Sequence, residues 1–495
     1  MATPIPTNRA RFTLPEVFAA TGGSLRGPLE DAALEVAGVA TDSRTLEPGQ
    51  AFVALAGERF DGHAHLAAAA ERGASLAIVE RDVEVRGLTV LRVESTLAAL
   101  AGLAEARVAR WRADHGGRVV ALTGSAGKTT TKRALAALAE ARLPHRVTAT
   151  QGNLNNLVGV PMTMLALSDD ARLLVLEMGT NAPGEIGKLA RMARPDLALV
   201  TLIASAHSEG LGGLDGIARE KTAMFRGLAR GAVALGNADD ARVRAGLAAC
   251  VASDKIGYGT AADADYRILR REALDLERSR LEVRRPDGST LSFTTPLLGA
   301  AGALATTAAL AAIEAAFPGR PFHGDEAEAA LAHLGVEDAG PGRLAPRRLT
   351  SGVVVVDDSY NANPASTEAS IEAARELARV AGRRLVLVLG DMLELGEDRD
   401  ASHESLGDWA ARSGARLLLT VGDHSARGAA LARARGLDAR HAETSERAAE
   451  FACELVRADD LVLVKGSRGV RTERVVAALA RCEAAPRAEQ EGAGR

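Results

Sequence analysis

The chain has 495 residues, room for roughly two to four domains, and 47% of them are hydrophobic, as in a protein that builds its own cores. A net charge of −4 offers no basic field for nucleic acid, so no nucleic-acid partner is expected. The first 22 residues lack a long apolar stretch and no run reaches the roughly 18 apolar residues of a membrane span, which predicts a cytoplasmic protein with neither signal peptide nor membrane span; the scattered Cys250, Cys453 and Cys482 predict reduced thiols and no disulfide or zinc frame.

Residues 1–112 read as a small α/β domain. Short apolar runs at 51–55, 76–79 and 90–93 alternate with alanine-rich helical stretches at 67–72 and 97–110. Residues 113–117, ADHGG, read as the linker out of it. A second domain follows over 113–325. Strands are predicted at 118–122, 173–177, 197–203 and 231–235, with helices between them, which implies a parallel sheet covered on both faces. Residues 265–295 break the alternation and read as a β-excursion with a turn at Pro286-Asp287-Gly288.

The most informative stretch lies at the start of this second domain, VVALTGSAGKTT at 119–130. A strand runs into Gly124-Ser125-Ala126-Gly127-Lys128-Thr129-Thr130, and a helix is predicted over 131–142. Glycines let backbone N–H groups close on phosphate oxygens, and the helix N-terminus adds positive potential. Lys128 would reach the β- and γ-phosphates and Thr129 would hold magnesium. The spacing is shorter than that of the common phosphate loop, because position 122 is Leu and the first glycine is Gly124.

Other polar clusters end the predicted strands, where open parallel sheets place their ligands. Glu177 suits a magnesium ligand, although an ordinary exposed glutamate would also fit. His207 follows the strand at 197–203 and is either a ligand or a hydrogen-bonded surface residue. Only six of the 60 Lys+Arg positions are lysine: Lys128, Lys132, Lys188, Lys221, Lys255 and Lys465. The scarcity is either a compositional bias that says nothing about sites or a sign that a lysine is kept where arginine cannot supply a compact, reactive amine. Lys221, on the helix after His207, is either a solvated charge or an amine that CO2 caps as a carbamate, a carboxylate-like metal ligand.

A third α/β domain spans 326–484, with strands at 353–356, 384–389, 417–421 and 461–464 and helices at 366–381, 402–412, 426–435 and 445–456. Its polar loops DDSYNANP (357–364), GDMLE (390–394) and KGSR (465–468) all follow strands and should share one edge facing the nucleotide. Ser366 reads as the N-cap of the helix after the first of them. Residues 485–495 read as a disordered tail.

These segments together resemble the cytoplasmic Mur ligases of peptidoglycan synthesis. TGSAGKTT (123–130) is similar to the family's shortened phosphate loop, and Glu177, His207 and Lys221 match its magnesium ligands, with Lys221 at the carbamylated lysine. The resemblance implies three domains: a central P-loop-type parallel-sheet ATPase domain, a small N-terminal α/β domain for a UDP-sugar, and a C-terminal Rossmann-like α/β domain. It implies ATP and Mg2+, with Gly124 to Thr130 and Arg343 on the nucleotide. One ion would sit on Thr129 and Glu177, the other on His207 and carbamylated Lys221. Thr41-Asp42-Ser43-Arg44 with Asp61-Gly62, GNLNN (152–156, including Asn155 and Asn156) and the three C-terminal loops point to the branch that joins D-alanyl-D-alanine to UDP-N-acetylmuramoyl-tripeptide in a monomer. Asn361, Asn363 and Lys465 would then touch ATP or the dipeptide. Lys128, Lys221 and His207 would carry the catalysis, through an acyl phosphate.

One segment departs from the family. Its Gly-x-His-Asn-x-x-Asn stretch near the adenine is here Gly299-Ala300-Ala301-Gly302-Ala303-Leu304-Ala305, without the histidine and both asparagines. Ser208 and Ala223 are smaller differences. A folylpolyglutamate-type ligase and a non-catalytic nucleotide-binding relative stand as alternatives; the DSR and DGH segments (42–44 and 61–63) weigh against the first, and the intact Lys128, Glu177, His207 and Lys221 set against the second.

Overall fold

The computed structural model describes residues 3–26, 34–57, 60–205, 208–334, 342–393 and 395–482. The tail expected to be disordered therefore lies outside the described residues. Three separate α/β sheets, following one another along the chain, carry the fold.

The N-terminal sheet has five strands in the order Ser24–Arg26, Thr89–Arg92, Leu76–Val79, Ala51–Val53, Val39–Ala40, parallel except for the first. Helix α1 (Thr96–His115) follows, opened by Ser95 Oγ accepting from the Ala98 N–H and closed by Gly116 at φ 61°. The predicted linker is corrected here, since Ala113, Asp114 and His115 are the last turn of α1. The cause is tertiary. Arg107 donates to Leu167 O at 2.6 Å, Trp111 Nε1 to Ala171 O at 3.0 Å, and Arg112 to Arg194 O and Asp196. These bonds seat the helix on the second unit, and one apolar cluster runs through both, from Val53 and Leu100 to Leu174 and Ile186.

In the second unit β1 (Arg118–Thr123) leads into α2 (Lys128–Arg142), and β1 lies between β2 (Leu173–Glu177) and a later strand. Helix α3 (Glu185–Ala193) leads to that strand, β3 (Leu197–Val200), which α4 (Gly213–Arg226) follows. Strands Val233–Asn237 and Asp254–Gly259 continue the parallel sheet. Nearly every residue of β1, β2 and β3 is buried, because helices cover both faces. The predicted excursion is three strands antiparallel to one another, Tyr266–Ala273, Ser279–Arg284 and Thr290–Thr295, the first joined in parallel to Asp254–Gly259, which brings the sheet to nine strands. Gly288, at φ 84°, turns its second hairpin.

Helix α5 (Gly299–Ala316) packs beneath the sheet. It is apolar over 18 residues, long enough to cross a membrane, yet 78% of it is buried inside the protein. This is a core helix, and the expectation that no such run exists is corrected on that point. Glu314 on α5 accepts from Arg285 at 2.8 and 3.1 Å, from Tyr266 OH at 3.0 Å and from Phe322 N at 2.9 Å. Both charges are buried. Glu314→Ala leaves the Arg285 guanidinium without its partner inside the core and is expected to cost about 3–5 kcal/mol, read as a lower urea midpoint for this unit.

The third unit has six strands. Ala345–Arg348 pairs antiparallel with β4 (Val354–Asp358), from which α6 (Pro364–Val380) leads to β5 (Arg384–Gly390). The last strand, β6 (Asp460–Lys465), inserts parallel between β4 and β5, and Leu417–Val421 and Ala439–Ala442 complete the sheet. The loops after β4, β5 and β6 thus leave the same edge side by side. A correction concerns the cysteines: Cys453 and Cys482 are disulfide-bonded, with Cα atoms 6.0 Å apart, while Cys250 is free and buried. Twenty-nine residues separate the pair along the chain, and only the packing of helix Ser445–Leu455 against Glu473–Leu479 brings them together.

Candidate active site

Gly124 and Gly127 make the phosphate loop possible. Gly124 has φ 153°, and a Cβ there would lie 2.0 Å from Thr201 Oγ1; Gly127 has φ 81°. Gly127 is also the N-cap of α2 and carries no side-chain cap. The first N–H groups of α2 are therefore left for a ligand, at the positive end of a 15-residue helix. The loop is braced from behind. Ser125 exchanges hydrogen bonds with both backbone groups of Ala204, and Thr201 Oγ1 donates to Ala126 O. Thr130, on the first turn, lines the same opening.

Lys128 and Thr129 converge with Glu177 because β1 and β2 pair in register, with Leu122 opposite Glu177. Lys128 Nζ folds back on Gly124 O at 2.6 Å, and Thr129 Oγ1 lies 3.2 Å from Glu177 Oε1. Asn155 donates to the same oxygen at 3.0 Å, and Lys132 Nζ lies 3.0 Å from Oε2. Burial alone would raise the Glu177 carboxyl; Lys132, Lys128 and Asn155 outweigh it and hold it below the usual range. Burial lowers Lys128, aided by Arg343 and opposed by Glu177. In the sequence Lys132 stands out only as one of the six lysines. Its signal was its place one turn after Lys128, on the same face of the helix.

Lys221 sits on α4, buried, with its amine pushed down to about 7 by burial first and by the charge of Lys128 second. Its neighbour Glu220 accepts from the Gly184 and Ile186 N–H groups at 2.6 and 2.8 Å, which fixes α4 against the start of α3. The reading of His207 as a metal ligand lies outside the described residues, as does Glu394.

Around this centre opens a cleft of about 850 Å³. One wall is Ser125 to Thr131 with Asn155 and Glu177, the other Gly342, Arg343, Asp358, Tyr360 to Asn363 and Lys465. The start of α5 forms the wall where the sequence departs from the family, and Leu298, Ala300, Ala301, Leu304 and Ala305 make it apolar. Arg343 follows Gly342 (φ 85°) and precedes Leu344 (φ 51°), so the chain turns sharply at it. Its guanidinium stacks on Tyr360, 4.1 Å from the ring centre. Lys465 donates to Asp358 at 2.6 Å and to Asn361 O at 3.0 Å.

Several candidates have structural occupations. Asn363, with Ser366 at its third position, caps α6 in a reciprocal capping box, so the cap is Asn363 and not Ser366. Asn156 Oδ1 accepts from Val158 and Gly159 and starts the helix Gly159–Leu165; it is absent from the cleft wall, whereas Asn155 stands on it. The remaining candidates belong to the N-terminal unit and do not line this cleft. Asp42 is held low first by its hydrogen bonds from Arg44. Asp61 caps the turn at Gly62 and pairs with His63 and Arg81, while Ser43 is buried.

The donor set suits a hard divalent cation. An ionised carboxylate, Glu177, faces a hydroxyl, Thr129, and Glu177 Oε2 is buried without a hydrogen bond of good geometry. Cation, loop amides and lysine together would balance a triphosphate.

Comparison with known proteins agrees in three places along the chain. Residues 35–109 match the Mur ligase family, catalytic domain, residues 122–313 the Mur ligase middle domain, and residues 342–468 the Mur ligase, glutamate ligase domain. The UDP-N-acetylmuramoyl-tripeptide–D-alanyl-D-alanine ligase of Escherichia coli is 36% identical over 92% of this chain and 96% of its own. A crystal structure of MurF from Acinetobacter baumannii superposes with a TM-score of 0.81 at 29% identity, covering 97% of this chain and all of that one (100%). MurF from Thermotoga maritima, solved in complex with ADP, gives 0.75 at 27% identity, over 90% of this chain and 97% of its own.

Proposed function

This chain belongs to the Mur ligase family, and we propose that it adds D-alanyl-D-alanine to UDP-N-acetylmuramoyl-tripeptide at the expense of ATP, a step of peptidoglycan precursor synthesis. The observation that carries this reading is the convergence of Lys128, Thr129 and Glu177 at the floor of a cleft whose opposite wall comes from the third unit.

The chemistry follows from charge. The tripeptide carboxylate attacks the γ-phosphorus, the bond to the β-phosphate oxygen breaks, and an acyl phosphate and ADP result. The dipeptide amine then attacks the acyl carbon, phosphate leaves, and the amine gives up a proton. Two anions must meet in the first step. Lys128 and the α2 N–H groups draw charge from the phosphates at positions fixed before the substrate arrives. Arg343 meets the nucleotide from the other wall. Mg2+ fits Thr129 and Glu177, and a second ion fits Lys221 once carbamylated, with His207 assigned from sequence alone; bound there, the ions would neutralise phosphate charge. Lys132 and Asn155 hold the Glu177 carboxylate ionised and in place. An acyl phosphate is lost if water reaches it, and the two walls exclude water when they close.

Asn361 and Lys465 remain assigned to the substrates, and Asp42, Ser43, Arg44, Asp61 and Gly62 to the UDP-sugar. Asn155, Asn156 and Asn363 act by positioning. The reading keeps 1–112, 113–325 and 326–484 as its domains, supported by one main sheet in each, with α1 straddling the first boundary. The reading includes a cytoplasmic monomer. A coupled phosphate-release assay tests the whole. Release must require ATP, UDP-tripeptide (with diaminopimelate or lysine as third residue) and D-alanyl-D-alanine together. Release without the dipeptide, or with glutamate and a folate in place of both substrates, would overturn it, and binding of ATP without any turnover would mark a non-catalytic relative.

A further inference from the structure

The three loops that leave the third sheet side by side are tied by one hydroxyl. Ser467 N donates to Asp391 O at 3.0 Å, Ser467 Oγ donates to Ala362 O at 3.3 Å, and the same oxygen accepts from Leu393 N at 2.9 Å. Ser467 itself is buried, 3% exposed. The loops after β4, β5 and β6 therefore form one platform. Two groups project from it against the usual economy of a surface. Leu393 is an aliphatic side chain left 41% exposed. Arg468 is exposed and, among the described residues, has neither an ion pair nor a hydrogen bond. Leu393 reaches the backbone just after Arg468, since its Cδ1 lies 2.8 Å from where a Cβ on Gly469 would be.

Arg468 is also distinct from the cations already assigned. Lys465 is occupied by Asp358 and Asn361 O. Arg343 is the guanidinium whose charge weighs on Lys128, so it belongs to the phosphate side. Tyr360 stands between the two roles, with Arg343 4.1 Å and Arg468 5.9 Å from its ring centre. We propose that Arg468 binds the carboxylate of the incoming dipeptide, with Leu393 against its methyl groups, so that the amine end points into the cleft. This rests on the dipeptide-adding reading above. D-alanyl-D-alanine has one anionic group and two methyls, and this platform offers a guanidinium with no ion pair among the described residues and an exposed aliphatic side chain against the next residue, Gly469. A guanidinium meets a carboxylate through two parallel N–H bonds and so fixes direction as well as position.

Steady-state kinetics with D-alanyl-D-alanine and with its C-terminal carboxamide test the assignment. The wild type is expected to prefer the carboxylate by about 10- to 100-fold in kcat/KM, the range for hydrogen bonds to charged groups. For Arg468→Ala the two dipeptides should become equivalent, through a raised KM for D-alanyl-D-alanine with the KM for ATP unmoved. Arg468→Lys should recover part of the preference as a point charge. An Arg468→Ala enzyme that keeps the wild-type preference, or that loses both dipeptides equally, overturns the assignment. No product from the wild type with either dipeptide overturns the ligase reading and the assignment with it.

Discussion

Lys128→Ala is expected to lower the single-turnover rate of phosphate release by about a thousandfold or more, the range found when a preorganised charge is removed from a transition state. The ammonium is already committed to the loop, since Nζ donates to Gly124 O at 2.6 Å. It stands beside Glu177 and Arg343, whose charges pull its pKa in opposite directions. Removing it leaves the γ-phosphate facing a carboxylate nucleophile with one cation fewer at the shortest distance. The fold should survive, because alanine is favoured in a first helical turn and α2 is held by Leu135 and Leu138 in the core. Thermal unfolding at the wild-type temperature would show this, and a folded Lys128→Ala enzyme within tenfold of normal turnover would remove the phosphate-loop account.

Lys221→Ala should also be inactive, but rescuable. A buried amine brought down to about 7 is about half uncharged in neutral solution, where an ordinary lysine is almost wholly protonated, and only the uncharged amine adds to CO2. The nitrogen lone pair forms a bond to carbon, one proton is released to water, and the product is an anion where a cation had been. That reversal suits a position close to Lys128, where an ammonium is disfavoured. In Lys221→Ala the side chain vanishes and millimolar acetate can enter the space, so acetate or a similar small carboxylate should restore part of the activity. Chloride at the same ionic strength should not. Full activity of the alanine variant without additive, or rescue by chloride as well, would sink the carbamate.

Which parts of this site were visible before folding follows from the range of each interaction. Gly124, Gly127, Lys128 and Thr129 are neighbours along six residues, so their joint meaning is local and could be read. Asn363 illustrates the opposite hazard: within DDSYNANP it looked like a substrate contact, yet its side chain is engaged with Ser366 N in an ordinary cap. Asn156 is spent in the same way at the start of a helix. Lys132 escaped notice because its partner Glu177 lies across the sheet. The disulfide and the extension of α1 through the expected linker escaped for the same reason, as both depend on surfaces supplied by distant segments.

The order of residues alone determined where most of the strands and helices lie, that the three α/β units follow one another, and that one loop is shaped for a triphosphate. Each of these depends on periodicity or on glycines a few positions apart. Tertiary structure alone decided which side chains work together. Thr129 meets Glu177 across 48 residues, and Ser467 meets Leu393 and Ala362 across 74 and 105. No local pattern encodes such meetings, because they arise from strand order: β6 enters between β4 and β5 although it comes last in the chain, and that insertion places Arg468 beside Tyr360.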